Sequence, residues 1–193
     1  MPDAPSVSPR PMPETPSPSP GPAPGGHRDE VDRIIAGWAQ ARADLDAAPM
    51  AVFSRISRLS RHLETARRAA FTAAGLEGWE FDMLSALRRS GDSALSPGAL
   101  MQQTLVTSGT MTTRITKLVE RGLVSRSRSP RDGRGVEVRL LPEGVERVDL
   151  AMESLLAAER ELLAPLPGAE QDVLADTLRR LLLTFEAEDQ PEG

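Results

Sequence analysis

Apolar residues recur at helix spacing from residue 27 onward, and their phase divides the chain into successive elements. Val31, Ile34, Ile35, Trp38, Ala41 and Leu45 form one stripe, which Pro49 interrupts. Val52, Ile56, Leu59, Leu63, Ala66 and Ala70 form a second, ending near Gly75. Phe81, Leu84 and Leu87 mark a shorter helix that stops at Ser90-Gly91. Ser96 as N-cap, followed by Pro97 at the first helical position, starts another short helix that runs to Gln103. After a turn at Thr104–Val106, a further helix begins at Thr107 or Ser108 and reaches Arg121, where Gly122 closes it. The period then changes. Residues 124–129 alternate, Pro130-Arg131-Asp132-Gly133 is turn chemistry, and Val136–Leu140 alternate again, which predicts a two-stranded hairpin. Two amphipathic helices follow, Pro142–Leu163 and Gly168–Glu188, separated by Pro165 and Pro167. The predicted class is mainly α with a small β-hairpin, and no internal repeat is present.

Ahead of these elements, Met1 to Gly26 holds ten of the seventeen prolines and almost nothing apolar. A disordered, semi-extended tail is expected there. The chain has no cysteine, which excludes disulfides, thiolate metal sites and thiol sensing. No stretch approaches the roughly 20 apolar residues of a membrane span, and no secretion signal is seen, so a cytoplasmic protein is expected. No cofactor or metal is expected. Only His27 and His62 supply imidazole, no glycine-rich phosphate loop is present and no paired acids form a pocket pattern, so an enzyme is not expected.

The net charge of −5 argues at first against nucleic acid, but the charges are segregated. Leu105 to Leu141 carries eight basic and three acidic residues, whereas Pro142 to the end carries four basic and thirteen acidic. A short basic segment can engage phosphates whatever the overall sign. That segment holds the order short helix, tight turn, second helix, basic hairpin, which is the order of a winged helix-turn-helix. On a wheel of the second helix, Met111, Ile115, Leu118 and Val119 form the buried arc. Ser108, at its start, and Gly109, Thr110, Thr113, Thr116 and Lys117, opposite the arc, are the candidate DNA face. Small hydroxyls, a glycine and a lysine permit close approach to base edges and phosphates. In the hairpin, Arg128 together with Arg131 and Arg134, which flank the Asp132-Gly133 turn, completes the candidate DNA-binding set. A tip arginine suits a narrow minor groove; Asp132 holds the turn or fixes a neighbouring arginine. A helical protein-interaction module with an idle wing is the rival reading.

Ser96 to Gly144 resembles the MarR family of bacterial regulators. The resemblance rests on Thr107-Ser-Gly-Thr-Met-Thr-Thr-Arg-Ile-Thr-Lys-Leu-Val-Glu-Arg-Gly-Leu-Val124, Asp132-Gly-Arg134, Val138-Arg-Leu140 and Pro142-Glu-Gly144. Leu141 departs from it, standing where the family usually has a capping threonine. The resemblance implies a homodimer with intertwined terminal helices on a palindromic operator. It divides 27–193 into N-terminal dimerisation helices (27–75), a winged helix-turn-helix lobe (79–141) and C-terminal dimerisation helices (142–188). The long apolar stripes outside the lobe, too many for it to cover alone, support the dimer independently.

The chain is similar, more closely, to the urate-responsive branch of that family. The positions that match this branch are Trp38, Asp82, Arg114 and Arg126, and the resemblance implies that they bind the ligand. A flat anionic purine would stack on an indole and pair with a guanidinium. Arg114 sits at the border of the buried arc, which suits a ligand or Asp82 better than bases. The expectation is a repressor released when the bound anion displaces or repels Asp82 and shifts the recognition helices. Plain alternatives stand beside each residue: Trp38 as core, Asp82 complementing a helix dipole, Arg126 on phosphate. Another phenolic or carboxylate ligand is the alternative to urate.

Overall fold

The computed structural model describes residues 28–91, 94–128 and 135–186. They form seven helices and three strands, in the order α1 (Glu30–Ala41), α2 (Met50–Ala73), α3 (Gly78–Arg89), β1 (Ala94–Leu95), α4 (Pro97–Thr104), α5 (Ser108–Glu120), β2 (Val124–Arg128), β3 (Val136–Leu140), α6 (Pro142–Leu163) and α7 (Gly168–Glu186). The expected tail, and with it Met1 to His27, lies outside the described residues, as does the hairpin tip at 129–134. Two compact units divide within α2, one ending at Arg55 and the other starting at Ile56.

In the first unit, two aspartates build the start of α1. The Asp29 carboxylate accepts from the Asp32 N–H at 3.0 Å, and the Asp32 carboxylate accepts from the Asp29 N–H at 3.0 Å. This reciprocal cap satisfies two amide donors that the helix leaves free. Arg55 of α2 then grips both acids, donating to Asp29 at 2.8 and 3.0 Å and to Asp32 at 2.8 Å. The helix ends at Ala41, short of Leu45, which the apolar stripe had included. Local side chains compete with the helix there: Arg42 donates to Asp44 at 2.8 and 2.6 Å, and Asp46 accepts from the Ala48 N–H at 2.9 Å.

The second unit is organised around α3, whose Met83, Leu84 and Leu87 have no solvent exposure. Leu100 of α4, Met111, Ile115 and Leu118 of α5, and Val148, Ala151 and Leu155 of α6 join them in one core. Burying each large side chain contributes roughly 1.5–3 kcal/mol. Phe71 of α2 stacks on Phe81 of α3 with ring centroids 4.1 Å apart. Ser96 caps α4 as expected, accepting from the Ala99 N–H at 3.2 Å. The turn into α5 passes through Leu105, which is left-handed at φ 51° and almost wholly exposed. Gly122, at φ 68°, ends α5 as the sequence implied.

The hairpin is real, with Arg126 opposite Val138 and Arg128 opposite Val136. A third strand joins it: β1 pairs antiparallel with β3, giving the order β1-β3-β2. Two residues are too few to show alternation, so no sequence pattern could announce β1. After β3, Leu141 begins α6 without a side-chain cap. The Leu141 N–H donates to the Leu123 carbonyl at 3.0 Å, which ties the helix start to the residue before the hairpin. Gly144 then lets the first turn of α6 press against the start of the hairpin. A Cβ at Gly144 would stand 2.1 Å from the Leu123 carbonyl oxygen. Gly144→Ala should therefore cost about 1–3 kcal/mol or more, read as a lowered denaturant midpoint.

A second expectation concerns pH. The Arg55 guanidinium, and after it the Asp32 N–H, hold the Asp29 carboxyl at about 2, down from its ordinary 3.8. Its contribution to folding is thus complete above the ordinary value and lost as pH falls toward about 2. Arg55→Ala should raise the Asp29 midpoint toward the ordinary value in a carboxyl-carbon NMR titration. An unmoved midpoint would mean that Arg55 is not its partner in solution.

Candidate nucleic-acid interface and effector cavity

Helix α5 separates its residues as amphipathy requires. Met111, Ile115 and Leu118 are buried, while Ser108, Gly109, Thr110, Thr113, Thr116 and Lys117 are all exposed. Val119 departs from the expected arc and is 41% exposed. At about 100° per residue it stands about 80° round from Met111, on the shoulder of the helix. Arg114 is half-buried on the opposite shoulder, as its wheel position implied.

The hydroxyls of this face are already directed. Thr113 donates to the Gly109 carbonyl at 3.2 Å, Thr116 to the Thr112 carbonyl at 3.0 Å, and Thr112 to the Ser108 carbonyl at 3.1 Å. A threonine whose proton is so engaged offers outward lone pairs and a methyl group. Those suit base amino groups and thymine methyls in a major groove. Gly109 has no heavy atom within 4 Å of where a Cβ would be, so the chain's own packing does not require a glycine there.

On the hairpin, Arg126 and Arg128 are exposed. By strand alternation both stand on the sheet face of buried Val124 and Val138. Arg139 points the other way and pairs with Glu137 at 2.8 Å. Arg131 and Arg134 lie outside the described residues.

Asp82 is exposed on α3 and, among the described residues, has no hydrogen-bond or ion-pair partner. It opens onto a half-open cavity of about 460 Å³ between α2 and α3. Glu64, Arg67, Arg68, Phe71 and Trp79 also line it. Arg114 lies elsewhere, in a shallow groove of about 380 Å³ shared with Gly109, Thr110, Thr113 and Lys117. Its guanidinium rests over the Trp79 ring, 5.3 Å from the centroid, and not on Asp82. Arg126 lines neither space. Trp38 belongs to the other unit, on α1, with about half its surface exposed.

Sequence reasoning did not single out Trp79, nor the pair that fixes α5 at its far end. Glu80, only 2% exposed in the first turn of α3, is paired with Arg121 at the C-cap of α5. Arg121 also donates to the Gly75 carbonyl at 2.8 Å, and Glu80 accepts from the Glu77 N–H at 2.9 Å. The spacing of Glu77 and Glu80, three apart at a helix start, was the one available signal. Among the described residues no group of acids and histidines could hold a metal ion, and no helix is long and apolar enough to cross a membrane.

A model of the MarR family matches residues 74–135. The regulator PecS of Dickeya dadantii is 32% identical over 153 residues, which span 79% of this chain and 92% of that protein. The chain belongs to the MarR family. It is a winged-helix DNA-binding transcriptional regulator and not an enzyme. Among solved MarR structures, Sco3205 of Streptomyces coelicolor, determined in complex with DNA, shares the fold. It is 22% identical with a TM-score of 0.62, over 77% of this chain and 95% of that one. BpsR of Bordetella bronchiseptica, whose DNA binding is regulated by 6-hydroxynicotinic acid, is 26% identical with a TM-score of 0.50. That match covers 66% of this chain and 98% of BpsR.

The Glu80–Arg121 pair makes an asymmetric expectation for this MarR lobe. Arg121→Ala strands a buried carboxylate and should cost about 3 kcal/mol, the low end for a broken buried pair because Arg121 is partly exposed. Glu80→Gln keeps an acceptor and leaves Arg121 free to reach water, and should cost only about 1 kcal/mol. Chemical denaturation of both variants checks the order, and the reverse order would show that the carboxylate does not depend on this cation.

Proposed function

We propose that the chain acts as a homodimeric repressor, binding a palindromic operator and releasing it when a small anionic aromatic molecule such as urate binds. The observation that carries the DNA reading is the outward face of α5: exposed, rich in hydroxyls, carrying Lys117, and open at Gly109. On this reading Ser108, Gly109, Thr110, Thr113, Thr116 and Lys117 enter the major groove. Arg128, Arg131 and Arg134 serve the flanking groove and phosphates. A regulator that recognises a two-fold operator presents two such faces, and the exposed stripe of α7 offers the means of pairing. Val173, Leu182 and Phe185 there are each more than half exposed. Residues 27–75 and 142–188 then hold the dimer, and 79–141 reads DNA.

For the effector, the cavity beside Asp82 has the size of a small-molecule site. Its charged lining mixes the guanidiniums of Arg67 and Arg68 with the carboxylates of Glu64, Glu77 and Asp82. That mixture favours a flat heterocycle with both N–H donors and oxygen acceptors over a bare carboxylate, and an anionic oxopurine is such a molecule. On this reading Asp82 meets the molecule in this cavity, while Arg114, in the neighbouring groove, Arg126 and Trp38 remain the further ligand residues that the resemblance implies.

A mobility-shift titration on the DNA upstream of the gene, repeated over a salt series, is the test. A steep linear fall of log affinity with log salt is expected, with a slope near one per phosphate contacted, and sedimentation should give a dimer. Urate and 6-hydroxynicotinate are then added separately. Release by urate supports the oxopurine assignment and release by 6-hydroxynicotinate alone replaces it, while absence of any DNA shift sinks the operator reading.

A further inference from the structure

Trp79 is the one side chain that belongs to both spaces just described. It lines the cavity that Asp82 opens onto, and it lines the groove on the DNA-facing side of α5. Its orientation is fixed from two directions. The indole N–H donates to the Glu77 carboxylate at 2.5 Å, at the start of α3. One face of the ring carries the Arg114 guanidinium, 5.3 Å from the centroid. The indole is therefore a partition, held at its edge by α3 and bearing a cation from the recognition helix on its face.

We propose that Trp79 is the positioning residue that links the two: occupancy of the Asp82 cavity moves the indole, and the indole moves Arg114 and with it α5. The proposal rests on reading that cavity as the effector site. A flat molecule entering the cavity between α2 and α3 meets the indole as a wall. It can be accommodated by stacking on the ring or by turning it, and either competes with the present contacts of the ring. Arg114, which among the described residues has no other polar partner, then loses its seat. Asp82 itself touches no residue of α5 by hydrogen bond or ion pair, so displacing it acts on the recognition helix only through a neighbour such as Trp79.

The chain has only two tryptophans, which makes the link measurable. In a Trp38→Phe background all indole emission comes from Trp79. Operator DNA should shift that emission, and Arg114→Ala in the same background should abolish most of the shift. No emission change on operator binding overturns the proposal, and this arm needs no effector. The second arm measures operator Kd with and without urate. Wild type should weaken by about tenfold or more, a usual size for coupled sites. Trp79→Leu, which lacks a face for Arg114, should bring the ratio to within about twofold of one. Trp79→Phe, which keeps a face and loses only the N–H, should retain the response. A wild-type ratio in Trp79→Leu, or loss of response in Trp79→Phe, overturns the proposal. If wild type itself ignores urate, the urate assignment fails and the emission arm alone decides for Trp79.

Discussion

A buried carboxylate with a single cationic partner governs how the recognition helix is held. Glu80 sits in the first turn of α3 with almost no solvent contact. An ion so placed is tolerable only when paired and hydrogen-bonded. The partner, Arg121, is the C-cap of α5, and its second arm reaches the Gly75 carbonyl just past the end of α2. Gly75 can present that carbonyl because it takes a φ of 67°, open to glycine at no steric cost. Three helix ends thus meet at one charge. The C-terminal end of α5 is anchored there, and Arg114, two turns earlier, is left against Trp79. Met111, Ile115 and Leu118 seat the helix in the core, so the Glu80 pair fixes its C-terminal end and the cation–π contact its Arg114 shoulder.

Much of the fold was legible because burial in this chain follows strong periodicities. The stripe of α3 and the caps at Ser96 and Gly122 each rest on local chemistry, and α6 starts at Pro142 and ends at Leu163 as the pattern implied. The misses have physical causes of other kinds. Leu45 kept helical phase while Asp44 and Asp46 pulled the backbone into turns. β1 exists only because β3 offers an edge, which is a tertiary fact. Val119 has the right residue type for a core, but its angle, about 80° from Met111, puts it on the shoulder of the helix. Leu105 takes a left-handed turn that sequence chemistry assigns to glycine or asparagine.

The candidate site was legible in part. The hydroxyl face of α5 could be seen because a surface helix ordinarily carries more glutamate and lysine. Arg114 could be placed at a border by angle, but a wheel gives direction and no partner. That partner proved to be Trp79, which the apolar stripe of Phe81, Leu84 and Leu87 did not include. An aromatic residue at helical spacing is hard to tell from packing until its polar edge is found bonded, as here to Glu77. Glu80 was illegible for the opposite reason, since charged residues at a helix start are common, and nothing local says that one will be buried.

Two glycines show how differently the same residue can be constrained. Gly144 has a backbone carbonyl where its Cβ would be, so the chain itself forbids a larger side chain. Gly109 has nothing there, and in the second residue of a helix it forgoes stability that alanine would add. Gly37, Gly78 and Gly168 are equally open, so an unfilled Cβ position alone assigns no role. What sets Gly109 apart is its place between Ser108 and Thr110, on the exposed face that carries Thr113, Thr116 and Lys117. The constraint on Gly144 is thus internal to the fold, whereas on the operator reading that on Gly109 is the space a groove leaves.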